Sequence, residues 1–182
     1  MVALAVALRN KASLASLTIV EAPAIELLKE SGEDFHYRAF RAMADSYFDD
    51  FENGNRHAIA AMIDFYGGAG TYASWPPRVR AYAVETTAIN ILDWASAFGF
   101  ELSETTLAAV KVPTLVLRGG ASHPAMQRIN ELLSVYKGAG LQTIAGAAHF
   151  MIATHAGDVA RAVAGLINAE PMRGRAAVAG QS

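Results

Sequence analysis

The sequence predicts an α/β fold with about three parallel strands, flanking helices and an inserted helical cap. Three short runs rich in β-branched and apolar residues, 17–21, 113–118 and 141–145, are bounded by Pro or Gly and indicate buried strands. Residues 24–107 contain no comparable run and show helical patterns instead. After residue 113 the order is strand, helix, strand, helix with short loops, which is typical of a parallel sheet covered by helices.

The first segment, Met1–Asn10, is rich in Ala and Leu and favours a mostly buried helix. No Ser, Thr, Asp or Asn cap precedes its apolar run. A helix has this appearance when its amino-terminal part is missing, so we expect the chain to be truncated here. The first strand, 17–21, follows and is ended by Ala22 and Pro23.

The cap, residues 24–107, is rich in aromatic side chains, and its helical patterns are interrupted by glycines 67, 68 and 70 and by Trp75-Pro76-Pro77. Large apolar residues at helical spacing are more often core than substrate contacts. As a group, however, Phe65, Tyr66 and Trp75 lie where a cap would cover an apolar pocket.

The carboxy-terminal part completes the predicted sheet and its helices. Pro124–Tyr136 has helical periodicity with Pro in its first turn, and Gly157–Ala169 forms a closing helix. Residues 170–182 combine Pro, Gly, small and charged residues, which predicts a flexible tail. The predicted organisation is a core of residues 1–23 and 108–169, a cap of residues 24–107 and a tail of residues 170–182.

Composition argues against several classes of partner. The 182 residues are 53% apolar and carry a net charge of −2 without a basic stripe, so we expect a globular chain that does not bind nucleic acid. There is no cysteine, and no two of the five histidines have the i, i+4 spacing of a zinc motif, so no metal site is predicted. Met1–Leu8 is too short to span a bilayer and has no charged region ahead of it. We expect a cytoplasmic protein without a membrane partner.

Two segments of the second half resemble the end of an α/β-hydrolase. Val112–Gly119 has the hydrophobic-Pro start of a family strand, and Leu141–His149 looks like the last strand followed by the family's Gly-x-x-His loop. Residues 17–23 are similar to the strand before the cap, and residues 24–107 to the cap itself. The resemblance covers most of the chain and implies that His149 is the catalytic base.

A histidine suits this position for a physical reason. Histidine exchanges a proton near neutral pH, and a loop at the carboxyl end of a parallel strand places the ring beside a nucleophile. Most histidines are surface or core residues without such a role. The position of His149 after a Gly-containing strand end favours the catalytic interpretation. His155 is the alternative, although it is more simply explained as a cap or loop residue before the closing helix.

The acid that would orient His149 has two interpretations. The usual family position, three residues after Gly119, is Ser122, which cannot orient a histidine as a carboxylate does. Some members instead take the acid from the end of the preceding strand, where Glu21 lies and would share a sheet edge with the histidine loop. The alternative is that Glu21 is a solvated strand-end residue before Pro23.

The nucleophile is absent from the sequence. The family elbow has the form G-x-S-x-G on a tight strand-to-helix turn, and no such string occurs. The run Gly120-Ala-Ser-His-Pro124 is similar, but it ends in Pro and follows the wrong strand. The family order places the nucleophile a few residues upstream of Met1, and the oxyanion donors would belong to the same missing part.

The resemblance implies a truncated enzyme whose parent hydrolyses an ester or another small apolar substrate without a cofactor. The parent nucleophile is either Ser or Asp. The expected substrate contacts are Phe65, Tyr66, Trp75 and Phe150, since the run of residues 65–70 followed by Trp75-Pro76-Pro77 is typical of caps in one branch of these enzymes. A non-catalytic module that binds a small molecule or a partner is the alternative. An in-frame elbow upstream of Met1 would indicate the enzyme, whereas a stop codon would favour the module.

The same resemblance predicts self-association. In the whole fold the strand 17–21 has a further neighbour, and the helix Met1–Asn10 packs on strands that this chain lacks. Loss of these strands would uncover Val2, Leu4, Val6 or Leu8. An open strand edge with uncovered apolar residues pairs readily with another chain. We therefore expect a dimer, an aggregate or a complex with a complementary partner.

Overall fold

The protein, described here by a computed structural model over residues 1–9 and 13–169, is built on one sheet of three parallel strands. The strands are β1 (Leu17–Val20), β2 (Thr114–Gly119) and β3 (Gly140–Ile144), and their order in the sheet is β1-β2-β3. Helices cover the sheet, so the predicted α/β class is confirmed. The predictions for Asn10 and for the tail at 170–182 lie outside the described residues.

Each strand is displaced from its predicted bounds by about one residue, for identifiable reasons. Strand β1 ends at Val20 because Glu21 has a φ of 41°, outside the extended region. Strand β2 begins at Thr114 because Pro113 has no N–H group to donate. The carbonyl oxygen of Pro113 still accepts a hydrogen bond from the N–H of Leu17 at 2.8 Å. Strand β3 ends at Ile144, and Gly146 turns the chain with a φ of 71°.

Eleven helices occur within the described residues, and seven of them form the cap. The first, α1, is Val2–Arg9 and precedes the sheet. The cap helices are α2 (Glu26–Glu30), α3 (Asp34–Glu52), α4 (Ile59–Gly67), α5 (Thr71–Ser74), α6 (Pro77–Glu85), α7 (Thr87–Phe98) and α8 (Glu104–Ala109). Three helices follow β2 in the core: α9 (Pro124–Lys137), the short unpredicted α10 (Met151–Thr154) and α11 (Ala156–Ala169). Strand β3 lies between α9 and α10 in the chain.

Both faces of the sheet are covered. Successive strand residues point to opposite faces, so Val116 joins the core under α9 whereas Leu117 joins a second cluster with Val159 of α11. The first cluster continues without a break into the cap, where Leu27 of α2 and Phe40 of α3 are fully buried. The cap and the sheet therefore share one core.

Helix α1 differs from its prediction. It packs on β1 and α8 with Leu4 and Ala7 buried. Val2 is 81% exposed and Val6 is 41% exposed, so the expectation of a mostly buried helix is wrong for this face. Their exposure agrees with the expected uncovering of apolar residues of this helix, whereas Leu4 is only 2% exposed. The reason is that only one side of α1 meets another element of the described chain. Among the described residues, no helix has both the length and the apolar character needed to cross a bilayer.

Strand β1 is an edge of the sheet within the described residues. The N–H of Leu17 donates to Pro113 at 2.8 Å, and the N–H of Glu21 donates to Leu117 at 3.1 Å. Because hydrogen-bonding direction alternates along a strand, the N–H groups of Thr18 and Val20 face the open side. This side is where a further strand could pair.

We expect Thr18→Pro to shift the chain from a dimer or larger species towards the monomer, because proline removes an outward N–H from the edge. Sedimentation at micromolar concentration measures the shift. Thr18→Val retains the N–H and is the matched control, which should associate like the unmodified chain. A monodisperse monomer of the unmodified chain would contradict the expectation.

His123 contacts both a core helix, α9, and a cap helix, α4. It caps α9, since its Nδ1 accepts a hydrogen bond from the N–H of Ala125 at 3.2 Å, and its ring stacks on Phe65 of α4 with centroids 4.1 Å apart. Burial lowers the pKa of His123 from its ordinary value of 6.5, and the nearby His36 lowers the pKa further. The folded protein therefore favours the neutral ring.

Because the unfolded chain binds the proton more tightly, the stabilisation from neutral His123 is present above pH 6.5 and is lost as the pH falls through the lower folded pKa. We expect the free energy of unfolding to decrease over this interval. His123→Asn retains a capping acceptor without titrating, so its pH slope should be smaller in urea unfolding series. Equal slopes in the unmodified and His123→Asn chains would exclude His123 as the cause.

Candidate functional site

The carboxyl ends of the three strands bring three chain segments to one edge of the sheet. Glu21 follows β1, Ser122 lies in the loop after β2, and His149 lies in the loop after β3. The register places Val20 opposite Leu117 and Gly119 opposite Ile144, so the strands end almost level. Parallel strands bring functional side chains together at this edge for that reason.

Glu21 and His149 form a hydrogen-bonded pair. Nδ1 of His149 lies 3.1 Å from Oε2 of Glu21, and Glu21 is only 1% exposed. The alternative of a solvated strand-end Glu21 is therefore wrong. A carboxylate only accepts hydrogen bonds, so Nδ1 donates, and Nε2 of a neutral ring is left to accept a proton. The histidine side chain is 23% exposed and thus reaches solvent or a ligand.

The second oxygen of Glu21 is also paired. Oε1 accepts hydrogen bonds from the N–H of Gly119 at 2.7 Å and from the hydroxyl of Ser122 at 2.5 Å. A buried carboxylate needs such partners, because removal from water without them costs several kcal/mol. The left-handed φ of 41° at Glu21 costs roughly 1–3 kcal/mol and persists where surrounding contacts fix it. Strain of this kind is concentrated at functional sites.

A close approach of the backbone holds the histidine loop against the end of β2. A Cβ atom at Gly119 would overlap the carbonyl oxygen of Ala147, so only glycine fits there. The N–H of Gly120 donates to Ile144 at 2.9 Å, and the N–H of Ala121 donates to Ala147 at 2.8 Å. These bonds fix the loop after β3 relative to the loop after β2.

The cap contributes an aromatic cover over the imidazole. The ring of Tyr66 stacks on His149 with centroids 4.1 Å apart and an angle of 23° between the planes. Burial raises the pKa of Tyr66, and the negative charge of Glu21 raises it further. The phenol therefore stays protonated at neutral pH. Phe150 meets the histidine ring edge-on at 5.4 Å.

A cavity of about 190 Å³ opens beside the histidine. Its walls come from the cap helices α4 and α7, from the end of β1 and from the histidine loop, and they comprise Pro23, Met62, Tyr66, Asn90, Asp93, Trp94, Ala97, His149 and Phe150. The cavity is small and mostly apolar, with one amide and one carboxylate on α7. Such a space suits a small apolar group that carries few polar atoms.

The four predicted substrate contacts divide into two pairs. Tyr66 and Phe150 line the cavity. Phe65 does not, because consecutive helix residues point about 100° apart, and its ring packs on Phe40 and His123 instead. Trp75 does not line the cavity either, and it packs edge-on against Phe150 with centroids 5.1 Å apart.

Sequence reasoning missed Ser122 as a partner of the acid, and it missed the contribution of α7. Ser122 was considered only as a substitute for a carboxylate, whereas its buried hydroxyl binds one. Asn90, Asp93, Trp94 and Ala97 recur at helical spacing, and this pattern was available as a signal for one lining face. The amide oxygen of Asn90 accepts a hydrogen bond from Tyr47 at 3.1 Å, which orients the side chain.

His155 lies apart from this arrangement. Its Nδ1 lies 2.9 Å from the hydroxyl of Thr154, and it ends α10 without lining the cavity. Among residues 1–9 and 13–169, no group of three or more His, Cys, Asp or Glu side chains is placed to hold a metal ion.

No protein-family model matches the chain, and neither does a curated protein or a solved structure. The chemistry of the site therefore follows from its own geometry: a buried acid, an oriented imidazole, an aromatic cover and a small cavity.

We expect Ser122→Ala to lower the free energy of unfolding by about 2 kcal/mol, because it removes a hydrogen bond to a buried carboxylate without replacing the donor. Urea unfolding at neutral pH measures the change. Ser96→Ala is the matched control, since the Ser96 hydroxyl bonds the carbonyl of Leu92 at an exposed position. A loss below about 0.5 kcal/mol for Ser122→Ala would show that the bond does not support Glu21.

Proposed function

We propose that Glu21 and His149 are the acid and base of a hydrolytic site of α/β-hydrolase type, which acts on an ester or another small apolar substrate without a cofactor. The observation that supports this most directly is the buried carboxylate of Glu21, 3.1 Å from Nδ1 of His149 at the edge of a cavity. The pair has the geometry of the base and its orienting acid in a nucleophile-His-acid triad.

In this proposal His149 moves the proton. Its Nε2 takes a proton from the attacking hydroxyl or water and later returns it to the leaving group. The ring becomes positively charged between these steps, and the carboxylate of Glu21 stabilises that charge while holding the tautomer. Gly119 and Ser122 position Glu21 by binding its other oxygen.

The nucleophile is proposed to come from polypeptide other than these 182 residues. No Ser, Thr or Cys is among the residues that line the described cavity, and the hydroxyl of Ser122 is bound to Glu21. A G-x-S-x-G elbow is missing from the sequence. Either a Ser or an Asp nucleophile is compatible with the Glu21–His149 pair.

A second candidate function is a non-catalytic binding module. The observation that favours it is the same cavity, which offers apolar walls and an oriented imidazole but no Ser, Thr or Cys among its described lining residues. A small neutral ligand would then bind between Trp94 and Phe150 without being cleaved.

We expect residues 1–182 to hydrolyse nitrophenyl acetate or butyrate no faster than their His149→Ala variant, to within about twofold, because the nucleophile is missing. Release of nitrophenol measures the rate. Hydrolysis that depends on His149 would contradict the placement of the nucleophile outside this chain.

In a chain extended at its amino end by an elbow strand with G-x-S-x-G or G-x-D-x-G, we expect His149→Ala to abolish turnover. Glu21→Gln should lower kcat by about two orders of magnitude or more, since a neutral amide cannot stabilise the imidazolium. Glu30→Gln, at an exposed position, is the matched control. If Glu21→Gln retains the rate within about twofold, the acid lies elsewhere. If the extended chain binds the ester without cleaving it, the binding module is favoured.

A further inference from the structure

A second cavity, of about 840 Å³, lies on the cap between α3, α5, α6 and α7. It shares no lining residue with the cavity beside His149. Its apolar wall includes Phe51, Val84 and Ala88, contributed by three different helices. We call this cavity the cap groove. The cap groove is therefore separate from the cavity beside His149.

Two arginines line the cap groove and outnumber its one carboxylate. Arg56 and Arg80 line it from a loop and from α6, and Glu85 is the one carboxylate among its lining residues. Within the described part of the chain, neither guanidinium lies within 4.0 Å of a carboxylate oxygen. The chain has a net charge of −2, yet two arginines that form no ion pair with a described residue lie around this one apolar surface.

Two further polar groups are already oriented in the cap groove. The hydroxyl of Tyr72 lies 3.3 Å from Nδ1 of His57, which leaves Nε2 of that ring as its remaining polar atom. The guanidinium carbon of Arg80 lies 6.0 Å from the centroid of the Tyr72 ring, the outer limit of a cation–π contact. Tyr72 therefore links the imidazole and the guanidinium on one side of the groove.

We propose that the cap groove binds a small carboxylate that carries an apolar body, of the class of fatty or aromatic acids. The planar guanidinium groups of Arg56 and Arg80 match a carboxylate in shape and charge. An exposed ion pair alone binds weakly because water screens it. The apolar wall at Phe51 and Val84 supplies the remaining affinity by burying the body of the ligand.

Titration of the full chain with octanoate tests the proposal, followed through the methyl groups of Ala81, Val84 and Ala88. We expect saturable shifts at these methyls. Arg56→Gln and Arg80→Gln should each weaken octanoate binding about fivefold. Arg78→Gln is the matched control, because Arg78 is exposed on α6 like Arg80 but does not line the groove. The affinity of Arg78→Gln for octanoate should equal that of the unmodified chain.

Two probes separate the two parts of the recognition. Octanol has the body without the charge, and acetate has the charge without the body, so each should bind at least about tenfold more weakly than octanoate. Phenylacetate in place of octanoate distinguishes a preference for aromatic acids from one for fatty acids. Circular dichroism of each arginine variant verifies that it is folded.

Three results would overturn the proposal. The first is the absence of saturable binding up to about 10 mM octanoate. The second is an equal loss of affinity in Arg78→Gln and in the two groove variants. The third is a set of shifts confined to Met62 and Ala97, which would place octanoate in the cavity beside His149. The proposal does not depend on hydrolysis, so loss of one function leaves the other testable.

Discussion

The candidate site depends on the hydrogen bonds of one buried carboxylate, that of Glu21. One oxygen binds His149 after β3, and the other binds Gly119 and Ser122 at the end of β2, so a single side chain connects all three strand ends. An unpaired carboxylate in this position would cost several kcal/mol. The same bonds hold Glu21 in a left-handed conformation that an isolated strand end would not adopt.

The cap helices supply most of the walls of the cavity beside His149. Because Leu27 and Phe40 share one core with the sheet, the cap helices have a fixed position above the strand ends. Helix α4 then stacks Tyr66 on the imidazole, and α7 supplies a further part of the cavity wall through Trp94. The cavity beside His149 thus results from the packing of the insert, whereas the cap groove belongs to the insert alone and has a different, cationic character.

Both oxygens of the Glu21 carboxylate are hydrogen-bonded, whereas the outer side of β1 pairs with no other strand among the described residues. The N–H groups of Thr18 and Val20 in β1 face away from β2. In α1, the helix that precedes β1, Val2 and Val6 are exposed. The Glu21–His149 pair, together with a strand edge that is unpaired within the described residues, fits the proposal that further polypeptide supplies a nucleophile. They also fit self-association, since both would use the same edge.

The sequence by itself determined the local features: three apolar runs, a long helical insert and a glycine-containing loop that ends in His149. It also indicated that Glu21 ends a strand, because such patterns depend only on neighbouring residues. It did not decide whether Glu21 is buried or solvated, or which of the adjacent Phe65 and Tyr66 faces the histidine. The tertiary structure decided both, since Glu21 meets residues 101 and 128 positions away, and only strand register and helix packing bring such distant groups into contact.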